Sequence, residues 1–141
     1  MEELIIDKFD KNEIDRIANV MQQAFNSVNQ DWTERSSKAF VREVFNMSCN
    51  LVAKMNGTIV GFIVANKQSD NLFVYAIGVK PNEMRKGVAK KLWERAMQYC
   101  KENNLYKVKM ISNPKSQAYQ WYKKLGFVDT GWVELSLTLS G

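Results

Sequence analysis

The segment Pro81-Asn-Glu-Met-Arg-Lys-Gly-Val-Ala89 sits between an apolar run and a stretch with helical periodicity. A helix that starts there leaves its first N–H groups unpaired and carries a partial positive charge. Gly87 lacks a Cβ, so an anion can come close to the backbone. Ala89 keeps the next turn small, and Lys80, Arg85, Lys86, Lys90 and Lys91 cluster around the glycine. The expected ligand is a di- or triphosphate held by amides from about Arg85 to Lys90. Alone, the motif reads more readily as a glycine N-cap among solvated lysines. It is neither a P-loop nor a dinucleotide fingerprint, whose further glycines are absent. A second group lies downstream. Ala118, Trp121, Tyr122 and Leu125 fall three or four residues apart and share a helical face. Tyr119 and Trp121 read as core. Tyr122 differs, because a buried phenol needs a partner and can donate a proton.

The chain of 141 residues contains no histidine. That removes Ser-His-Asp and Cys-His nucleophile systems and His-ligated metals together. Asp and Glu show no metal-loop spacing, so no metal is expected. Cys49 and Cys100 are too few and too distant in sequence for a disulfide framework, and read as reduced packing residues. An apolar share of 45% and a charged share of 25% are ordinary for a globular domain. The net charge of +5 favours an anionic ligand. A nucleic-acid reading would rest on that charge alone, without a helix-turn-helix or RNA motif. No run suits a membrane span or signal peptide, so a cytoplasmic location is expected.

Repeats and linkers are absent, and one domain over residues 1–141 is expected. Leu4-Ile-Ile6 reads as a strand. Asp10 and Glu13 resemble a capping box before a helix over 11–26, and a second helix follows over 34–46. Asn56-Gly57 marks a hairpin between Leu51–Met55 and Thr58–Val64. A turn at 68–71 leads to a strand over Leu72–Val79. The pattern then becomes helix (87–103), strand (Leu105–Ile111) and a helix opening near Asn113-Pro114 and closing at Gly126. Phe127-Val128 and Glu134–Leu139 read as closing strands. The expected fold is α/β. Its mixed central sheet has an antiparallel N-terminal part and a parallel, splayed middle pair, flanked by about four helices.

Met84-Arg-Lys-Gly87-Val-Ala89 and Ala118-x-x-Trp121-Tyr122-x-Lys124-x-Gly126-Phe127 together resemble the two signatures of the GNAT superfamily of N-acetyltransferases. By element order the resemblance covers nearly the whole chain. It implies acetyl-CoA as co-substrate. Backbone groups of Ile77, Gly78 and Val79 would meet the pantetheine and acetyl carbonyl. Arg85, Lys86, Gly87, Val88, Ala89 and Lys90 would hold the pyrophosphate. Asn113, with Ser116 nearby, would contact the cofactor, although Asn113 reads equally as a helix cap. Tyr122 would act as general acid, and an amine would attack the thioester directly, without an acyl-enzyme.

Two residues depart from the family pattern. Met84 stands where Gln or Arg is usual. Tyr75 stands near the place of a common glutamate base, so the base would fall to Glu134, Asp70 or water. The acceptor site is expected from the loop after the first helix (Asn29, Gln30, Asp31, Trp32, Glu34), the second helix and the last strands. Trp32 and Trp132 would form apolar walls and Tyr75 would border the acceptor. The acceptor is expected to be a primary amine of a small molecule or of a peptide or protein, with no nucleic-acid or membrane partner, and the chain a monomer or homodimer. A non-catalytic acyl-CoA-binding or sensing module on the same fold is the alternative.

Overall fold

Four strands pair antiparallel in turn, β1 (Leu4–Lys8), β2 (Leu51–Met55), β3 (Thr58–Gln68) and β4 (Asn71–Val79), with tight turns joining β2 to β3 and β3 to β4. Asn56 and Gly57 turn the β2–β3 hairpin at φ of 52° and 84°. This is the left-handed pair that a two-residue hairpin requires. The chain then crosses over through a helix, and β5 (Lys107–Met110) comes to lie beside β4. At their shared start, Tyr106 N–H donates to Asp70 O at 3.1 Å. The five strands follow the order β1-β2-β3-β4-β5 in one mixed sheet. Among the described residues the four α-helices are α1 (Ile14–Asn26), α2 (Glu34–Val44), α3 (Val88–Glu102) and α4 (Gln117–Lys124). The expected fold class is present.

This computed structural model describes residues 3–28 and 30–139, so Asn29 of the expected acceptor loop lies outside the described residues. Residues 1–109 and 110–141 form two compact units. In the first, Ile17, Val20, Met21 and Ala24 of α1 and Val41 and Val44 of α2 pack with Val52, Phe62 and Val64 of the sheet. Each such buried side chain contributes roughly 1.5–3 kcal/mol. Neighbouring strand residues face opposite sides. Phe62 therefore meets α1, while Gly61 meets Val88 and Leu92 of α3.

The chain ends and caps depart from expectation in physical detail. Asp10 does cap the first turn, its side chain accepting from Asn12 N–H at 2.9 Å. Glu13 does not reach back to complete a capping box. It is buried and pairs with Lys54 of β2 at 3.1 Å, and this bond raises the Lys54 pKa. The capping box belongs instead to α2, where Thr33 and Ser36 bond reciprocally. The closing strands expected at Phe127-Val128 and Glu134–Leu139 are not formed: residues 128–139 pair with no strand and are exposed. Cys49 and Cys100 are free and buried, and burial pushes the Cys49 thiol up to about 11. Among the described residues no helix is long and apolar enough to cross a membrane. No cluster of His, Cys, Asp or Glu suited to a metal ion occurs among them.

A Cβ placed on Gly61 would stand 2.8 Å from Val88 Cγ1, 3.1 Å from Gly78 O and 3.3 Å from Leu92 Cδ1. Gly61→Ala is therefore expected to destabilise the fold by about 1–3 kcal/mol in urea unfolding, by overpacking. A stability equal to or above wild type would show that α3 does not sit as close to β3 as described.

Candidate active site

The end of β4 and the start of α3 form one strand–loop–helix junction within the first unit. Ile77, Gly78 and Val79 pair with Ile63, Phe62 and Gly61 of β3. A Cβ on Gly78 would lie 2.8 Å from the Phe62 ring and 3.0 Å from Ala24. This strand end is thus shaped by the packing of α1 beneath it. Pro81–Glu83 forms one 3-10 turn and Met84 is extended. Arg85 and Gly87 then both adopt left-handed backbone, at φ of 66° and 81°. For Arg85 this costs on the order of 1 kcal/mol.

Gly87 is the N-cap of α3, and the first helical bond runs from Lys91 N–H to Gly87 O at 3.0 Å. The N–H groups of Val88, Ala89 and Lys90 precede that ladder. A Cβ on Gly87 would meet nothing within 4 Å. The backbone there faces open space, which fits the close approach of a phosphate. Val88 is buried beneath, while Arg85, Lys86 and Lys90 are exposed. Lys86 is also held by Glu83 at 3.0 Å, a surface pair that sequence reading missed although Glu and Lys stand three residues apart. All nine expected cofactor residues of this unit, Ile77–Val79 and Arg85–Lys90, fall on this one strand–loop–helix junction.

Tyr75 occupies a special position on β4. Ala76 pairs with Val64 and Val74 with Ala65, so Tyr75 is the extra residue of a β-bulge. It is partly exposed, packs on Phe73, and its hydroxyl accepts from Gln68 Nε2 at 2.7 Å. Periodicity gave no sign of this bulge. Trp32 lies between α1 and α2. Its backbone N–H donates to Asn26 Oδ1 at 2.8 Å, and its ring packs on Phe25 and Phe40. Phe25 in turn packs edge-on against Phe62, linking Trp32 to the floor under Gly78. Trp32 is thus held in place by its packing, and not a loose loop residue. A separate cleft of about 490 Å³, lined by Phe45, Cys49, Asn50, Arg95 and Glu102 among others, contains none of the expected site residues.

The second unit holds Asn113, Ser116 and Tyr122. Asn113 Oδ1 accepts from Lys115 N–H at 2.9 Å, and Asn113 O accepts from Ser116 Oγ at 2.7 Å. Ser116 caps α4 by accepting from Tyr119 N–H at 3.2 Å. Ser116 thus fills the cap role, and Asn113 holds the turn that precedes it. Tyr122 is the buried residue of α4, at 8% exposure, beside Trp121 and Phe127. Burial pushes its phenol up to about 12. Tyr119, read as core, is only half-buried and donates to the Asp129 carboxylate at 2.9 Å. Trp132, expected as a wall, is 90% exposed.

A profile of the acetyltransferase (GNAT) family matches residues 15–127. Among solved structures, Ard1 from Thermoplasma volcanium is similar at 26% identity, covering 91% of this chain and 84% of its own, with a TM-score of 0.74. The aminoglycoside N-acetyltransferase AAC(6')-Iy in complex with CoA is 18% identical over 98% of this chain and 96% of its own, with a TM-score of 0.77. The PaiA N-acetyltransferase from Thermoplasma acidophilum, in complex with coenzyme A, is 17% identical over 89% and 90%, with a TM-score of 0.75. Comparison with curated proteins finds no match.

The buried phenol makes stability depend on pH in a defined sense. Its ordinary pKa of 10 rises to about 12 in the fold. Between these values the folded chain holds a proton that the unfolded chain has lost, so this contribution is complete below pH 10 and fades as pH climbs to 12. Urea unfolding from pH 9 to 12 should show wild type losing about 2 kcal/mol relative to Tyr122→Phe. A pH-independent difference would contradict the burial of this hydroxyl.

Proposed function

The chain belongs to the GNAT acetyltransferase family, and from that premise we propose that it transfers an acetyl group from acetyl-CoA directly to a primary amine of a small molecule, peptide or protein. The observation that carries this reading is the junction at Gly87. There a left-handed glycine, unpaired amides and three exposed cations converge where the backbone faces open space. Amides of Val88, Ala89 and Lys90 would hold the pyrophosphate, with Arg85, Lys86 and Lys90 adding charge. Backbone groups of Ile77, Gly78 and Val79 would align the acyl arm in the manner of an added strand. When bound, acetyl-CoA supplies an activated acyl carbon whose leaving group is a thiolate.

Tyr122 is the residue of this chain suited to meet that thiolate. A phenol held at about 12 stays protonated across the physiological range and keeps its proton to donate. A free thiol titrates near 8.5, so full transfer to a released thiolate would be uphill by roughly 5 kcal/mol. The useful contribution of Tyr122 is a hydrogen bond to sulfur that strengthens as the C–S bond lengthens. Asn113 and Ser116 would meet the cofactor only through groups not already spent on the turn at 113–116 and the α4 cap. Tyr75, raised out of β4 by its bulge, and Trp32, fixed on Phe25 and Phe40, would border the acceptor. Tyr75 stands in place of the family's glutamate, and the amine would lose its proton to Glu134, Asp70 or water.

Calorimetric titration is expected to show tight binding of acetyl-CoA and weak binding of a dephosphorylated pantetheine analogue. Gly87→Glu, which puts a carboxylate where the phosphates would lie, should abolish that binding. Equal affinity for both ligands, or retained binding in the variant, would put the cofactor elsewhere.

In a thiol-release assay with an amine acceptor, Tyr122→Phe should lower kcat by about 100-fold and leave acetyl-CoA affinity nearly unchanged. An unchanged kcat would remove Tyr122 from the mechanism. Binding without thiol release for any amine would favour an acyl-CoA sensor over an enzyme.

A further inference from the structure

The separate cleft of about 490 Å³ lies wholly within the first unit and has the size of a small-molecule site. One wall is the turn that joins α2 to β2. Cys49 N–H donates to Ala65 O at 2.9 Å, Ser48 N–H donates to Asn66 Oδ1 at 2.9 Å, and Ser48 Oγ accepts from Lys67 N–H at 2.8 Å. These bonds fasten the turn to β3, so the wall is formed before any ligand arrives. Asn50 holds the end of α2, its Nδ2 donating to Val44 O at 2.7 Å and to Phe45 O at 3.1 Å. The other wall is the second half of α3, where Arg95, Tyr99 and Glu102 share one helical face. Arg95 stands eight residues past Gly87, about 12 Å along the helix. None of the residues proposed for acetyl transfer lines this cleft.

The lining offers three kinds of contact. Phe9, Phe45 and Met47 are half-buried apolar groups, with the two rings 6.3 Å apart. Arg95 is exposed and meets Glu102 through one nitrogen at 3.6 Å. A guanidinium carries five N–H donors in a planar fork that matches a carboxylate, so Arg95 keeps most of its donors for a ligand. Lys8 adds a second exposed cation, and Glu102 an exposed carboxylate. Asn50 is only 5% exposed, and its Oδ1 has no hydrogen-bond partner. A buried amide oxygen left unpaired is costly, and a ligand N–H relieves that cost. A molecule that meets all three kinds of contact carries a carboxylate, an ammonium and a short apolar group. An inorganic anion would leave the rings and Asn50 Oδ1 unmet. A polyamine would set its charge against Arg95 and Lys8, and a fatty acid would bring no donor for Asn50.

We propose that this cleft binds a free α-amino acid with an apolar side chain. Its carboxylate lies on Arg95, with Lys8 adding charge. Its ammonium donates to Asn50 Oδ1 and to Glu102, and its side chain rests on Phe9, Phe45 and Met47. The site needs no acetyl-CoA, so it stands or falls apart from the transfer reading.

Calorimetric titration of the full-length chain, without acetyl-CoA, tests this. L-Leucine, L-methionine and L-phenylalanine are the probes, and at least one should bind with a Kd below about 1 mM. The matching amine without the carboxylate and the matching acid without the amine (isopentylamine and isocaproic acid for leucine) should each bind at least tenfold more weakly. Arg95→Gln should weaken binding of the amino acid at least tenfold. Arg95 is exposed, so circular dichroism should report unchanged folding in that variant. In nuclear magnetic resonance spectra the amides of Met47, Asn50 and Tyr99 should shift as the amino acid is added. No binding by any of the three probes, equal binding of either truncated analogue, or wild-type affinity in Arg95→Gln would each overturn the proposal. Shifts at Trp32 and Tyr75 in place of those at the cleft would make the amino acid an acceptor at the transfer site, and would overturn it as well.

Discussion

How close α3 can come to the sheet decides the geometry of the whole strand–loop–helix junction. The approach is made through Gly61, where a single Cβ would collide with Val88 and Leu92. Gly61 also pairs with Val79, the last residue of β4. One missing methyl group therefore seats the first turn of the helix directly against the end of the strand. The intervening residues 80–87 must bridge that short gap, and they do so with one 3-10 turn and two left-handed residues. On the opposite face, Gly78 leaves room for the Phe62 ring and Ala24 of α1. The strand end is clamped from both sides, so backbone strain in the loop is held by a packed core instead of relaxing.

That clamping would make the loop a better cradle for an anion than its lysines alone. Exposed cations give a screened and poorly oriented attraction. Amides at a fixed helix start are aimed, and they add the partial charge of the helix end. Lys86 divides its charge with Glu83. This leaves the backbone at Gly87 to Lys90 as the directional element, with Arg85 and Lys90 as reinforcement. The departure of Met84 from the family pattern then removes a side chain from the rim without touching the amides.

Much of this was legible in the sequence, because local rules set it. Asn56-Gly57 fixed a hairpin, period-2 and period-3.6 patterns gave the strands and helices, and Gly87 marked a helix start. The features that escaped have tertiary causes. The bulge at Tyr75 depends on how β4 registers with β3. Glu13 looked like half of a capping box but lies over β2, where Lys54 outcompetes a backbone N–H for its carboxylate. The real box at Thr33 and Ser36 uses a serine in place of the usual Glu or Gln, so the sequence signal was weak. The last strand was legible as a pattern, and its absence from the sheet has a physical reason too. A strand pattern specifies which face is apolar, not which edge will receive it, and Leu135, Leu137 and Leu139 are exposed.

The lack of histidine shapes the chemistry as much as the glycines shape the loop. No side chain in the chain has an ordinary pKa near neutrality. Proton traffic at the proposed site must then be split between groups that do not exchange readily at neutral pH. Tyr122, held near 12, is a permanent donor. Its burial among Trp121 and Phe127 is what keeps it so, since the phenolate would be left without hydration. The base would be a carboxylate such as Glu134 or Asp70, or solvent, since a tyrosine stands at the β-bulge in place of a carboxylate. Such a division suits transfer from a thioester, whose leaving group is already a good one and needs only a hydrogen bond. The demand falls on the amine instead, which must reach the acyl carbon with its lone pair free. Selectivity for the acceptor would accordingly rest on how the region around Trp32 and Tyr75 admits a neutral amine, more than on any charged pair that holds its ammonium form.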